Sequence, residues 1–344
     1  MKVLITGGSG YIGSHICMEL LLEGMDAVVI DNLTNAHIDN LREIEEYTGK
    51  KIAFYEGDVR DRKLLDQIFQ EHEIDAVIHL AAKKSISESV KFPVDYYDNN
   101  ISGTLQLLET MRLSGCRTMY FSSSASVYGP QEKNPITEEF TVGGCTNAYA
   151  RSKLMAEEML EDLYQSDASW NITVFRYFNP IGAHHSGVIG EEPNELSTNL
   201  MPCLIQAVSG QRDDLKVYGN DYPTPDGTGV RDYIHVVDLA KAHVCALRNL
   251  EGKTGYRIYN LGTGTGYSVL ELIHTFEKVT GLNVPYGIAE RRPGDLASCY
   301  CSSEKARKEL GWETYYDLED MCRTTWKWHK NLLRREKQGK INAE

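Results

Sequence analysis

Val3-Leu4-Ile5-Thr6-Gly7-Gly8-Ser9-Gly10-Tyr11-Ile12-Gly13 decides how the rest of the chain is read. Val3 to Thr6 is a short apolar run ending at a glycine turn, the pattern of a buried strand. Gly7, Gly10 and Gly13 then recur at every third position, a variant of the turn that joins strand to helix around a dinucleotide. The first glycine permits the tight turn, the second lets backbone approach a pyrophosphate, and the third lets helix and strand pack closely. The helix start offers free N–H groups and a positive dipole end to the phosphates. A second apolar run, Ala27 to Ile30, ends in Asp31, near the ~20-residue distance at which an acid meets the adenosine ribose. A carboxylate there accepts from the 2′-hydroxyl and repels a 2′-phosphate, so NAD is the expected cofactor rather than NADP.

Outward from this loop, strand and helix alternate. Ile74 to Leu80, Thr118 to Ser122 and Ile172 to Tyr177 read as strands, with helical patterns around 61–72, 94–114 and 149–165. Such alternation predicts an α/β fold with a doubly wound parallel Rossmann sheet. From about residue 180 the texture changes. Gly, Pro, Asp and Thr crowd residues 182–195 and 219–229, which predicts ordered loops of the kind that carry binding groups. Residues 236–250 look helical again and Arg257 to Leu261 look like a strand, so the chain is expected to return to its first domain. The expected division is a dinucleotide-binding domain over 1–177 with a return segment at 236–262, and a smaller C-terminal α/β substrate-binding domain over 178–344. The charged tail after Trp328 is expected to fray.

The second informative stretch is Tyr149-Ala-Arg-Ser-Lys153. Residues four apart on a helix share a face. A neighbouring ammonium stabilises phenolate and lowers the tyrosine pKa, giving a proton acceptor that works near neutral pH. The spacing alone is common by chance and gains its meaning from the dinucleotide loop upstream.

Composition is compatible with this reading. The 344 residues are 42 % apolar and 25 % charged, with a net charge of −13. An acidic chain is a poor general partner for nucleic acid or a membrane surface, although local arginines can still hold an anion. No stretch approaches the ~20 apolar residues needed to span a bilayer. The first residues read as a strand, so no signal peptide is expected. Eight scattered cysteines without a Cys-x-x-Cys pair read as free thiols in a reducing, cytoplasmic setting. Cys299-x-Cys301 and His184-His185 lack ligand-spaced partners, so no metal is expected.

Six blocks together resemble the extended short-chain dehydrogenase/reductase family and, within it, the UDP-glucose 4-epimerase family, over Met1 to about Trp328. They are Thr6-Gly-Gly-Ser-Gly-Tyr-Ile-Gly13, Ser122-Ser-Ser-Ala-Ser-Val-Tyr-Gly129, Tyr149-Ala-Arg-Ser-Lys153, Arg176-Tyr-Phe-Asn-Pro180, Gly227-Thr-Gly-Val-Arg-Asp-Tyr-Ile-His235 and Arg291-Arg-Pro-Gly-Asp295. The last three are the more particular to nucleotide-sugar epimerases. The resemblance implies an isomerase that interconverts UDP-glucose and UDP-galactose through a transient 4-keto sugar, with NAD bound tightly and recycled. Tyr149 would take the 4-hydroxyl proton, Ser124 would hydrogen-bond the 4-oxygen, and Lys153 would lower the Tyr149 pKa and hold the nicotinamide ribose. Among Ser122, Ser123 and Ser124 the choice follows the family pattern. Gly7, Gly10, Tyr11, Ile12 and Gly13 would hold the pyrophosphate, Asp31 and Asn32 the adenosine ribose, and Asp58 and Val59 the adenine. Lys84, Asn99 and Tyr177 would lie along the rest of the dinucleotide.

On the substrate side the resemblance implies Arg231 and Arg292 on the diphosphate, where a guanidinium fork matches phosphate oxygens. Asn179, Asn199 and Leu200 would line the phosphate and sugar region, Tyr218 would pack on uracil, and Asp295 would accept from the uridine ribose. Cys299 stands where members restricted to plain hexoses tend to carry tyrosine, so room for a 2-acetamido group, and turnover of UDP-GlcNAc and UDP-GalNAc, is expected. The family also implies a homodimer built from helices near 94–114 and 149–165. Related dehydratases place an Asp-Glu pair after the serine, where this chain has Ala125-Ser126. The alternative is another UDP-sugar-modifying enzyme of the same family, a dehydratase or a decarboxylase, or a non-catalytic NAD- and UDP-sugar-binding regulator.

Overall fold

The computed structural model describes residues 1–192, 198–292 and 294–341. The expected loop at 182–195 thus lies partly outside the described residues, as does Pro293. Twelve α-helices are described: α1 Tyr11–Leu22, α2 Asp39–Thr48, α3 Arg62–Glu71, α4 Ile86–Lys91, α5 Pro93–Tyr97, α6 Gly103–Ser114, α7 Ala148–Ser166, α8 Leu200–Val208, α9 Val236–Asn249, α10 Val269–Thr280, α11 Glu304–Leu310 and α12 Leu318–Ile341. The strands are β1 Lys2–Thr6, β2 Asp26–Asp31, β3 Ala53–Glu56, β4 Ala76–His79, β5 Thr118–Ser124, β6 Asn171–Tyr177, β7 Asn179–Ile181, β8 Leu215–Tyr218, β9 Val230–Arg231, β10 Tyr233–His235, β11 Gly255–Leu261, β12 Tyr267–Ser268, β13 Tyr286–Ala289 and β14 Ser298–Cys299.

Seven strands form one sheet in the order β3-β2-β1-β4-β5-β6-β11, and every pairing is parallel. Parallel strands are buried on both faces, which is why β1 and β4 read as short apolar runs and β6 is buried throughout. One face packs on α1 and α9 around Ile5, Ile16, Phe175 and Leu239, and the other on α3, α6 and α7 around Leu65, Leu107, Met119 and Leu160. The late strand β11 pairs with β6 along its whole length, so the chain does return to the sheet after leaving it. A third core, including Leu204, Phe276 and Met321, holds α8, α10 and α12 together.

Two expectations change. The pattern over 94–114 is not one regular helix: α5 passes through a π-helical turn, Asp98–Ser102, before α6 begins. Such insertions recur at functional sites because they re-aim side chains, and this one carries Asn99 and Asn100. The tail after Trp328 is helical to Ile341 instead of frayed. It is tied down by Lys327 Nζ to the His185 carbonyl at 2.7 Å, Asn331 to the Gly187 carbonyl at 3.0 Å, and Arg335 to Glu43 at 2.9 Å.

Candidate active site

The glycine loop is shaped by steric necessity. Gly7 has φ of 73°, a left-handed conformation that a side chain rarely adopts. A Cβ on Gly13 would lie 2.2 Å from the Gly7 carbonyl oxygen, so only glycine lets α1 start this close to the turn. Gly10 caps α1 with no side-chain hydrogen bond, leaving the first-turn N–H groups available to an anion. Ser9 Oγ is buried beside them without a hydrogen-bond partner. An uncapped helix start, a glycine cradle and an orphaned hydroxyl suit the pyrophosphate of a dinucleotide. Asp31 braces the loop from β2, accepting from Ser9 N at 3.0 Å and Leu33 N at 2.9 Å. Burial raises its pKa, and these N–H groups, with that of Gly10, oppose the rise.

The remaining cofactor-side residues are distributed along the same edge of the sheet. Asn32 donates to Asp58 at 3.2 Å, and hydrogen bonds from Arg60 hold the Asp58 carboxyl down at about 2. Val59 is buried, and a Cβ on Gly103 would come within 2.6 Å of it. Ile12 packs at the margin of the α1 core. Tyr11 donates to the Gly182 carbonyl at 2.7 Å, and Lys84 sits 3.8 Å from Glu191, so both link the sheet edge to the segment after β7. Asn99 donates to the Asn100 side chain at 3.0 Å. Asn100, absent from the sequence reading, bonds to both backbone groups of Lys83 and to Ser152 Oγ at 2.9 Å. Tyr177 is hydrogen-bonded through its hydroxyl to His243 on α9 at 2.8 Å.

Helix α7 begins with Asn147 as N-cap, accepting from Ala150 N at 2.8 Å. This sets Tyr149 one turn before Lys153, as the spacing predicts. Ser124 closes β5 opposite them, and its Oγ accepts from Ser126 N and Ser126 Oγ. One electrostatic expectation is corrected. Burial raises the Tyr149 pKa, and the counterweight is the hydrogen bond with Ser124. Lys153 points instead to the Ser122 carbonyl at 2.7 Å, with its ammonium 4.8 Å from the Phe121 ring centre. Its own burial pushes its pKa down to about 7, against the pull of Glu157. Desolvation therefore sets the direction for both groups, Tyr149 up and Lys153 down.

On the C-terminal side the predicted substrate residues converge. β14 pairs with β9, placing Cys299 beside Arg231. Arg231 donates to the carbonyls of Val230 and Leu296 and lies 3.9 Å from Asp295. Arg292 donates to Asp295 at 2.9 Å, and its guanidinium lies 4.8 Å from the Tyr218 ring centre. Asn179 on β7 donates to the Asp232 carbonyl at 3.1 Å. Asn199 is the exposed N-cap of α8, its side chain making no cap bond, and Leu200 begins that helix at the edge of the third core. Cys299 is half-buried against the small cluster of Tyr128, Phe178 and Cys301. Burial raises its thiol pKa, against the pull of Arg231.

The NAD dependent epimerase/dehydratase family profile matches residues 3–262, and the chain belongs to that family. It is 54 % identical over 331 residues to UDP-glucose 4-epimerase of Bacillus subtilis, covering 96 % of this chain and 97 % of that one. It is 51 % identical over 335 residues to the UDP-glucose 4-epimerase of Homo sapiens, covering 96 % of each. The solved UDP-glucose 4-epimerase of Bifidobacterium longum, in complex with NAD+ and UDP, superposes with a TM-score of 0.93 at 48 % identity, covering 96 % of this chain and 98 % of that one. No described helix is long and apolar enough to cross a membrane.

Proposed function

We infer that this chain catalyses the reversible 4-epimerisation of UDP-glucose and UDP-galactose with NAD retained through the cycle. The observation that carries the reading is that Tyr149, Lys153 and Ser124 flank a dinucleotide cradle while Arg231, Arg292 and Asp295 cluster on the C-terminal side, in a chain 54 % identical to a UDP-glucose 4-epimerase. NAD, when bound, supplies the oxidant and then the reductant for the carbon that bears the 4-hydroxyl. The chain's own groups do the rest. Gly7, Gly10 and the start of α1 hold the pyrophosphate, and Asp31 accepts from the ribose. Tyr149 accepts the 4-hydroxyl proton, Ser124 bridges the phenol and the sugar oxygen, and Lys153 supplies the positive charge nearby. Arg231 and Arg292 anchor the diphosphate, so the hexose can turn over while its leash stays fixed. Residues 1–177 with 236–262 form the cofactor domain in this reading, and the remainder of 178–344 the UDP-sugar domain.

The pocket also accepts UDP-GlcNAc and UDP-GalNAc, because Cys299 is small where a tyrosine would crowd the 2-position. A homodimer and a cytoplasmic location complete the proposal. The dimer is supported by Leu105 and Leu113 on α6, 50 % and 61 % exposed, and Met155 on α7, 38 % exposed; light scattering of Leu113→Glu, expected to give monomer, tests it. The test of function is turnover with no cofactor added, offering UDP-galactose and UDP-GalNAc separately. Conversion of both is expected. Loss of only the UDP-GalNAc activity in Cys299→Tyr is expected too, and unchanged activity in that variant would remove the role of Cys299.

A further inference from the structure

Helix α7 meets the end of β5 through three side chains spaced one turn apart. Tyr149 adjoins Ser124, whose hydroxyl opposes the burial-driven rise of the Tyr149 pKa. Lys153 donates to the carbonyl of Ser122 at 2.7 Å. Glu157 accepts from the hydroxyl of Ser123. The helix positions i, i+4 and i+8, which share one helical face, thus meet Ser124, Ser122 and Ser123 in turn. Tyr149 and Lys153 belong to the reaction as read above, but Glu157 reaches neither substrate nor cofactor in that reading.

Glu157 is nonetheless 3 % exposed. It is held by a two-point contact from Arg176 on β6, at 3.1 Å from Nε and 2.6 Å from Nη2. Arg176 in turn lies 4.7 Å from the Tyr128 ring centre. A buried ion pair replaced by apolar residues is often as stable, so its presence is poorly explained by stability alone. What this pair does is fix a carboxylate at the point where α7, β5 and β6 meet.

We propose that Glu157 is a positioning residue that clamps Ser123 and thereby sets the register of β5 against α7, holding Ser124 opposite Tyr149. Its charge has a second consequence for Lys153. The titratable groups facing that ammonium are Glu157 on α7 and His79 on β4; burial keeps His79 neutral, pushing it down to about 3. Glu157 is therefore the anion that favours protonated Lys153, with Arg176 tempering it from β6.

This inference rests on the epimerase reading, and its test separates the two. Ser123→Ala removes the clamp and leaves the Glu157–Arg176 pair intact. It is expected to lower kcat for UDP-galactose about tenfold, the worth of one hydrogen bond to a charged group, with KM near the wild-type value. Glu157→Gln is expected to move the alkaline limb of the kcat profile to lower pH, because Lys153 loses the charge that keeps it protonated. Glu157→Asp keeps the charge but withdraws it from Ser123, so it restores the limb and not the rate. Hydrogen exchange over residues 118–124 is expected to quicken in Ser123→Ala. Wild-type kcat, limb and exchange in these variants would overturn the clamp. No turnover by the wild-type chain would overturn the functional reading alone, and the exchange measurement would still decide the clamp.

Discussion

The two halves of the site are held in different ways. On the sheet side, the polar groups are fixed by buried hydrogen bonds: Asp31 by the loop N–H groups, Lys153 by Ser122, Asn100 by Lys83 and Ser152. On the C-terminal side, Tyr218 is 41 % exposed and the Arg292 side chain 50 % exposed, and they are held mainly by each other and by Asp295. The first arrangement is preorganised and costs little to use at the moment of reaction. In the proposed function the second is completed by its ligand, since a diphosphate would compete with Asp295 for the two arginines. Chemistry is rigid here, and recognition is adaptable.

The largest effect that tests this division is at Tyr149. Tyr149→Phe keeps the ring and its packing and deletes only the proton acceptor, so kcat is expected to fall by about 10²–10⁴. Absorbance of the purified variant should still report bound NAD. If NAD disappears together with activity, Tyr149 is a cofactor clamp and the sheet side is less specialised than it looks.

Next in size are the arginines. Arg231→Ala removes a half-buried guanidinium anchored on two carbonyls and is expected to raise KM for UDP-galactose roughly 10- to 100-fold, the range of a charge-assisted hydrogen bond, with kcat changed little. Arg292→Ala is expected to cost less, because its side chain is more exposed and better screened. Steady-state kinetics decides between them. A fall in kcat as large as the rise in KM would mean that the C-terminal groups act in the reaction itself.

The same contrast explains what was legible in the sequence. β1, the glycine loop, β2 and the Tyr149–Lys153 spacing are local patterns, and each folds where its pattern says. β3 escaped because Ala53–Glu56 is a half-buried edge strand of four residues, too short for its pattern to stand out. β7, β9, β10, β12 and β14 have two or three residues each, too few for a period, and exist only through distant pairings such as Cys299 with Arg231. The Tyr149 pKa was misread for a related reason, since spacing reveals the neighbour but not the desolvation. Glu157 could have been found by extending the four-residue step beyond Lys153, but its partners Ser123 and Arg176 come from two other strands.

The buried side of the molecule also carries a cost, and it provides the smallest effect. Glu19 on α1 is 5 % exposed where α1 packs on α9. Its nearest basic neighbour is His184, 3.8 Å away, which burial keeps neutral, pushing it down to about 3. Desolvation therefore dominates and raises the Glu19 pKa from 4.5 to about 7, with Lys241 opposing it. With a folded pKa above the unfolded one, the folded state binds more protons between those values, so stability falls as pH rises from about 4.5 to about 7 and is level above. Glu19→Gln cannot ionise and escapes this loss. It is expected to be more stable than the wild type by about 1–3 kcal/mol at pH 8, with the difference vanishing near pH 4.5. Urea unfolding at the two pH values measures it. A difference independent of pH would mean that Glu19 is already charged and paired in the folded protein, and that the order of the sheet side is achieved without an ionisation penalty at this position.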